Sequence, residues 1–369
     1  MSKLQEEKQK NSDSGSEGSE NEDVMGSGLL EQIPQKGIYS PIDFTPFLPP
    51  IGTTKRGDQV FMHKGKGDLV IFCLHGAGHS GASFAPLAEA LVSKGDTTIS
   101  IASIDLPGHG VKKGEEIHGE IDYSSANLIE SVKLGLDLVS SSIPEARFVL
   151  LGHSLGGALV GKLAKVWEPY RWGKGLAGLI ILDVAEGTAK DALPAMAALL
   201  MKQKKSFNNI EEAIAEAVNR GEVRNRRSAR MTVPSRLKQK TSDDKNQKGS
   251  ETDKWIWRTK LENTEPYWKD WFEGMNSGFL GLNLPKMMVM AGEDRLDQEL
   301  TIAQMQGKFR LVTLHGVGHV LHEDDPSTMA STLLEFVKIF RLAETPNVSG
   351  AGKWGGGWAK KDDVKFDAS

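Results

Sequence analysis

Gly152-His153-Ser154-Leu155-Gly156 sets one hydroxyl between two glycines, directly after the apolar run Phe148-Val149-Leu150-Leu151 and directly before a helical pattern. A serine in that context sits on a sharp strand-to-helix turn that lifts its Oγ above the edge of a sheet, which is how a nucleophile is presented. Side chains at the flanking positions would collide with neighbouring backbone. Glycine at 152 and 156 removes that collision, and Gly157 eases the packing of the helix that follows. Read only as a tight turn, the same residues leave the exposed serine unexplained.

A serine hydroxyl is a weak nucleophile without a base. In this architecture the base comes late, on the loop after the last strand. His319 holds that place in "LHGVGHVLHED", with Gly316 and Gly318 giving a loop able to swing its ring toward Ser154. His315 lies at the strand end, and His322, one turn on, reads as an exposed histidine at a helix start. The acid must accept the imidazole Nδ1 proton and support the imidazolium. Asp183 ends the strand "LAGLIIL", and Asp294 follows the next strand within "AGEDRLD". Both keep the order Ser, Asp, His, and position alone favours Asp294. The charge of a tetrahedral intermediate needs backbone donors. The N–H of Leu155 is one; the loop His75-Gly76-Ala77-Gly78, through Gly76 and Ala77, supplies the other. His109, in "DLPGHG", reads as a loop histidine in a structural turn. No phosphate loop, zinc-spaced histidines or dinucleotide fingerprint is present, so no cofactor or metal is implied.

The elements that must position these groups alternate. Apolar runs "LVIFCLHG", "TTISIASID", "RFVLLGHS", "LAGLIILDV", "PKMMVMAGED" and "FRLVTLHG" are separated by helical patterns near 84–93, 126–140 and from Gly156, and a helix over 326–340 closes the series. Apolar strands spaced by helices predict a mostly parallel, doubly wound α/β sheet covered on both faces. About 100 residues between Asp183 and Pro285 lack a strand-like run. So long a loop is improbable in a compact domain, and a helical cap inserted over 185–284 is expected, with 241–253 as its tip. Residues 1–30 are acidic, serine-rich and poor in apolar groups, the composition of a disordered tail. Residues 345–369 read as a second, flexible tail, with Trp354 and Trp358 unusual in it.

A net charge of -4 and a pI near 6.2 argue against bulk binding to nucleic acid or anionic membrane. The single cysteine, Cys73, lies in an apolar run and excludes an internal disulfide framework. With no apolar run near 18 residues and a polar start, a cytoplasmic or nuclear location is expected.

With the H-G-x-G loop, the serine elbow and the late histidine together, the chain resembles the α/β-hydrolase superfamily. Within it, it resembles the protein phosphatase methylesterases over roughly 35–342. The resemblance rests on "FLPPIGTTKRGDQVF", "LHGAGHSGASFAPLA", "DLPGHG" and "LLGHSLGGALV", and more specifically on "LIILDVAEGTAKDAL", "NRGEVRNRRSAR" and "AGEDRLDQELTIAQMQGKF". It implies removal of the methyl ester from the carboxyl-terminal leucine of the catalytic subunit of type 2A protein phosphatase, which would be both substrate and partner. It also implies that the acid is Asp183, in "DVAEGTA", against the positional choice of Asp294. One departure is the cap tip at 241–253, shorter and more mixed in charge than the acidic stretch expected of animal relatives. The basic run Arg220–Lys240 suits either a solvated face or an acidic partner. The aromatic cluster "WIWRTKLENTEPYWKDWF" suits either cap core or a slot for a leucine side chain. A general carboxylesterase or thioesterase, and a phosphatase-binding regulator with minor hydrolysis, are the rival readings.

Overall fold

Two strands that the apolar runs do not mark, β1 (Pro50–Thr53) and β2 (Gln59–His63), form an antiparallel edge to the main sheet. The computed structural model describes residues 37–110, 120–167, 171–241, 254–292 and 296–344; both expected tails and most of the cap tip lie outside them. The sheet continues through β3 (Leu69–Leu74), β4 (Ser100–Ile104), β5 (Arg147–His153) and β6 (Gly175–Leu182). The chain then leaves it, forms three short strands, β7 (Ser206–Phe207), β8 (Leu237–Gln239) and β9 (Trp255–Trp257), and returns as β10 (Lys286–Met290) and β11 (Arg310–Thr313). The order across the main sheet is β1-β2-β4-β3-β5-β6-β10-β11. From β4 to β11 every pairing is parallel, so the fold is the expected doubly wound α/β arrangement.

The strands are apolar on both faces because both faces are covered. Val70, Phe72, Leu74, Phe148 and Leu150 point to the side of α2 (Ser125–Ser142) and α3 (Leu155–Lys165). Leu69, Ile71, Cys73, Val149 and Leu151 point to the other side, against α1 (Ala85–Ser93) and the closing helix over 326–339. Cys73 is fully buried, and burial pushes its thiol well above the ordinary range.

Between β6 and β10 lie α4 (Glu186–Lys202), α5 (Ile210–Asn219), α6 (Arg226–Thr232), α7 (Trp268–Phe272) and α8 (Met275–Gly281). The region is not purely helical as expected: β7-β9-β8 form a three-stranded antiparallel sheet. Strands of two or three residues are too short to leave a period-2 pattern. This sheet packs with α5 around Phe207, Ile214, Val223, Val233 and Trp257 as a core of its own. Trp268, Trp271, Phe272 and Phe279 instead join the main core beside α3. Of the aromatic cluster, Trp257, Trp268, Trp271 and Phe272 are therefore buried packing, while Trp255 and Tyr267 stay partly exposed. The indole N–H groups of Trp257, Trp268 and Trp271 donate to Lys204 O, Thr264 Oγ1 and Tyr123 O. Helices α9 (Gln298–Met305), α10 (Leu321–Asp324) and α11 (Pro326–Ile339) complete the chain. Among the described residues no helix is long and apolar enough to cross a membrane.

The joint between β5 and α3 shows why two glycines are needed. A Cβ on Gly152 would lie 2.5 Å from the amide nitrogen of Gly157, and one on Gly156 would lie 2.5 Å from the carbonyl carbon of Leu74 on β3. Neither neighbour can yield, since both are backbone of buried elements. Gly156→Ala is expected to destabilise the protein by about 3 kcal/mol or more, beyond the usual range for overpacking. Chemical denaturation measures it; a loss under about 1 kcal/mol would mean that helix and strand separate more easily than this packing allows.

Candidate active site

Ser154 follows the last residue of β5 and precedes the first of α3, with φ 53° and ψ −117°. That conformation is rare for any residue with a Cβ. It is held by the Ser154 N–H, which donates to Leu182 O on β6 at 3.1 Å, and by the Ser154 carbonyl, which accepts from Ala158 N–H. The turn leaves the Leu155 N–H at the first position of an 11-residue helix, where no intrahelical acceptor exists.

Asp183 stands one residue past β6 with φ 51°. Its N–H donates to Val289 O at 2.8 Å, and its Oδ1 accepts from Ala291 N–H at 2.8 Å, so β10 and the turn after it fix the carboxylate. Its Oδ2 accepts from His319 Nδ1 at 2.8 Å. The carboxylate is fully buried while the imidazole is about half exposed, at 51%. The ring is thus anchored by its Nδ1 side. Asp294 lies outside the described residues. Among the described residues no hydrogen bond joins Ser154 Oγ to His319; such contacts commonly tighten only when substrate binds.

The loop Gly76–Gly78 meets this turn from the end of β3. A Cβ on Gly76 would come within 2.8 Å of His153 Nδ1 and 3.3 Å of Ser154 Cβ. Only glycine allows the loop backbone so close to the serine. Gly76 O accepts from His79 N–H at 3.1 Å, closing a turn in which Gly78 has φ +76°. Two histidines hold the loop from behind. His75 bonds through Nδ1 to Gly76 O at 2.8 Å and accepts from Leu106 N–H at Nε2. His109 accepts from Gly78 N–H at Nε2 and bonds through Nδ1 to Pro107 O, each at 3.0 Å. Each ring must therefore be neutral with its proton on Nδ1. Burial suits that state: it pulls His109 down to about 4 and His75 well below the ordinary range. His109 is thus more than a turn residue, since it holds the loop opposite the serine. Among the described residues nothing accepts from the Ala77 N–H, which leaves it, like Leu155 N–H, available to an oxyanion.

Comparison with known proteins places this arrangement. Residues 71–332 match the model of the Alpha/beta hydrolase family. A protein phosphatase methylesterase 1 of Cryptococcus neoformans is 36% identical over 292 residues, covering 78% of this chain and 69% of that protein. The chain belongs to the protein phosphatase methylesterase family. Its relative of the same name in Schizosaccharomyces pombe is 38% identical over 71% of this chain and 72% of its own length, and that of Mus musculus 34% over 74% and 77%. Among solved structures, E-2-(acetamidomethylene)succinate hydrolase superposes with a TM-score of 0.57 at 17% identity, over 76% of this chain and 95% of that one. An esterase of Mycobacterium tuberculosis gives 0.55 at 19%, over 79% and 90%. At such identities these structures speak for the fold. Family membership carries the class of chemistry, hydrolysis of a carboxylic ester.

Behind the serine lies a buried polar cluster that the sequence analysis missed. His322, expected on the surface, is fully buried; it bonds Ser83 Oγ at 3.0 Å and stacks on Phe84 at 4.8 Å. His153 Nε2 donates to the backbone carbonyl of His319 at 2.8 Å, tying the elbow to the loop that carries the exposed ring. His79 Nδ1 lies 3.3 Å from Glu323 Oε1, whose other oxygen accepts from Thr232 Oγ1. His315 stays exposed at the end of β11. Among the described residues no group of three or more His, Cys, Asp or Glu is arranged to hold a metal ion.

The buried histidines around the serine predict acid sensitivity. Burial lowers His79 to about 3, and His109 and His322 to about 4, against about 6.5 in the unfolded chain. Between pH 6.5 and 4 the unfolded chain therefore binds more protons, so these groups' contribution is complete above pH 6.5 and is lost as pH falls. Each adds a slope of up to about 1.4 kcal/mol per pH unit. Glu323, raised by burial, acts in the opposite sense and offsets part of it. Unfolding free energy is expected to fall by more than about 2 kcal/mol from pH 6.5 to 5. A flat profile over that window would contradict neutral burial of these rings.

Several arginines of the basic run have partners within the chain, but of its basic residues only Arg236 is buried, and Arg220, Arg224, Arg226 and Arg227 are exposed. Arg224 Nη1 donates to Gly316 O at 3.1 Å, Arg227 pairs with Glu89, Arg230 Nε donates to Ser40 O at 2.6 Å, and Arg236 pairs with Glu222. Asp324 accepts from Gly318 N–H at 2.6 Å and from Arg224 N–H at 2.7 Å, so the His319 loop is braced by the same segment. The exposed arginines fit the solvated face, one of the two expected readings, and their partners within the chain lie too far away in sequence to be read from spacing.

Proposed function

We propose that the chain removes the methyl ester from the carboxyl-terminal leucine of the catalytic subunit of type 2A protein phosphatase, with Ser154 as nucleophile, His319 as base and Asp183 as its orienting acid. Ser154 Oγ attacks the ester carbonyl as His319 Nε2 takes the hydroxyl proton. The tetrahedral oxyanion is received by the N–H groups of Leu155 and Ala77 in the loop begun by Gly76. Collapse expels methanol, protonated by His319. Water, activated by the same ring, then attacks the acyl-enzyme, and the leucine carboxylate and the free serine are restored.

The observation that carries this reading is the 2.8 Å bond from His319 Nδ1 to a fully buried Asp183 carboxylate, in a chain whose relatives are named protein phosphatase methylesterase 1. A substrate that is the end of a folded protein also suits the half-exposed imidazole, which a sealed chamber would have hidden. The test follows release of methyl label from carboxymethylated phosphatase catalytic subunit beside a short peptide ending in leucine methyl ester. Turnover of the protein at least tenfold faster than the peptide is expected. Equal turnover, or activity on small esters alone, would make the chain a general carboxylesterase.

A further inference from the structure

Arg236 comes from the insertion, directly before β8, yet its contacts run to the loop opposite the serine. It is buried, at 5% exposure. Its Nε donates to Gly78 O at 2.8 Å, its Nη2 pairs with Glu222, and its guanidinium lies 4.8 Å over the Trp257 ring. Gly78 O belongs to the same planar peptide unit as His79 N–H. That N–H donates to Gly76 O at 3.1 Å. Gly76 O in turn shares its peptide unit with Ala77 N–H, the group left open toward the serine. A cation is thus linked through two successive peptide units to the proposed oxyanion donor.

We infer that Arg236 is a positioning residue for ester hydrolysis, which fixes and polarises the Ala77 N–H through the Gly78–His79 and Gly76–Ala77 peptides. Hydrogen bonds in series strengthen one another, and a charged donor at the head of a chain is stronger than a neutral one. The guanidinium draws electron density toward Gly78 O, making His79 N–H a better donor to Gly76 O and Ala77 N–H a better donor in its turn. The orientation follows from the same bonds. Gly78 is the flexible point of the turn, and Arg236 on its carbonyl with His109 on its N–H leaves it one conformation. Glu222 and Trp257 hold the planar fork in place, from the insertion alone. Thr259, also from the insertion, donates to Gly108 O beside His109 at 2.8 Å. The oxyanion site is therefore completed by the insertion as well as by the hydrolase sheet.

This inference rests on serine ester hydrolysis in the proposed function but not on the phosphatase substrate, so the test uses p-nitrophenyl acetate and a peptidyl trifluoromethyl ketone ending in leucine. The ketone forms a tetrahedral adduct whose oxygen anion needs the same donors. Losing one direct oxyanion donor costs about 10²–10³ in kcat; losing its support should cost less. Arg236→Met is expected to lower kcat about tenfold and weaken the ketone about tenfold, with KM and affinity for the product acid within about twofold. Arg236→Lys, which keeps the charge and one donor, is expected to recover most of both losses. Glu222→Gln leaves the fork less well held and is expected to fall between them. A folded Arg236→Met with unchanged kcat and ketone affinity overturns the inference, and so does a loss in which KM rises as much as kcat falls. If Arg236→Met does not fold, Glu222→Gln decides, since wild-type kcat and ketone affinity in that variant would also overturn it. Wild-type protein that neither hydrolyses the ester nor forms the ketone adduct would instead overturn the hydrolytic reading beneath it.

Discussion

Ser154→Ala is expected to lower kcat by roughly four to six orders of magnitude while leaving the fold intact. Without the hydroxyl there is no acyl-enzyme, and what remains is whatever the oxyanion donors and binding can do for attack by water. The same position makes a second, independent statement about stability. At φ 53° and ψ −117° the backbone is strained for any residue with a Cβ, at a cost of about 1–3 kcal/mol. Alanine keeps the Cβ and so keeps the strain; glycine releases it. Ser154→Gly is therefore expected to be as inactive as Ser154→Ala and more stable by about 1 kcal/mol. Steady-state kinetics on an ester and denaturation of both variants check the two halves. Residual kcat within tenfold of wild type would remove Ser154 from the reaction, and equal stability of the two variants would mean that the turn holds no such strain.

The serine was readable because its signals are local. Four apolar residues of β5, two glycines and the first turn of α3 lie within one short segment, and each requirement is met by a neighbour in sequence. The helices over 85–93, 125–142 and 326–339 were close to their expected positions for the same reason, since periodicity reports on a run of adjacent residues. What failed was long-range. His322 reads as a surface histidine until Ser83 and Phe84 are brought against it from 239 and 238 positions earlier. The arginines of the insertion look free until Glu89, Ser40 and Gly316 appear beside them. Strands β1, β7, β8 and β9 are edge or miniature strands, too short to stand out from turns, and β2 opens on a glutamine and closes on a histidine with no helix before it to set it off. Asp183 and Asp294 each follow an apolar run in the sequence, and no spacing rule says which carboxylate reaches the imidazole.

Asp183→Asn decides that last point and carries the second largest expected effect. In the folded protein Asp183 Oδ1 accepts from Ala291 N–H and Oδ2 accepts from His319 Nδ1. An asparagine has only one acceptor oxygen to offer those two donors. If the amide oxygen stays on Ala291 N–H, the amide NH2 faces Nδ1 and donates to it, which places the imidazole proton on Nε2. That is the nitrogen that must be bare to take the proton of Ser154, so the base is present but in the wrong tautomer. The expected loss in kcat is about 10⁴-fold, with KM nearly unchanged because the carboxylate lies beneath the ring, away from substrate. Turning the amide over would restore the tautomer but set its NH2 against Ala291 N–H, leaving a buried donor unpaired at about 1–3 kcal/mol; the first orientation is therefore preferred. Asp294→Asn is expected to keep kcat within about threefold of wild type, far below what loss of a triad acid costs. The reverse pattern, a large loss at Asp294 and a small one at Asp183, would hand the role to the aspartate that position alone favoured. It would also mean that the His319–Asp183 bond serves to hold the loop rather than to set the tautomer.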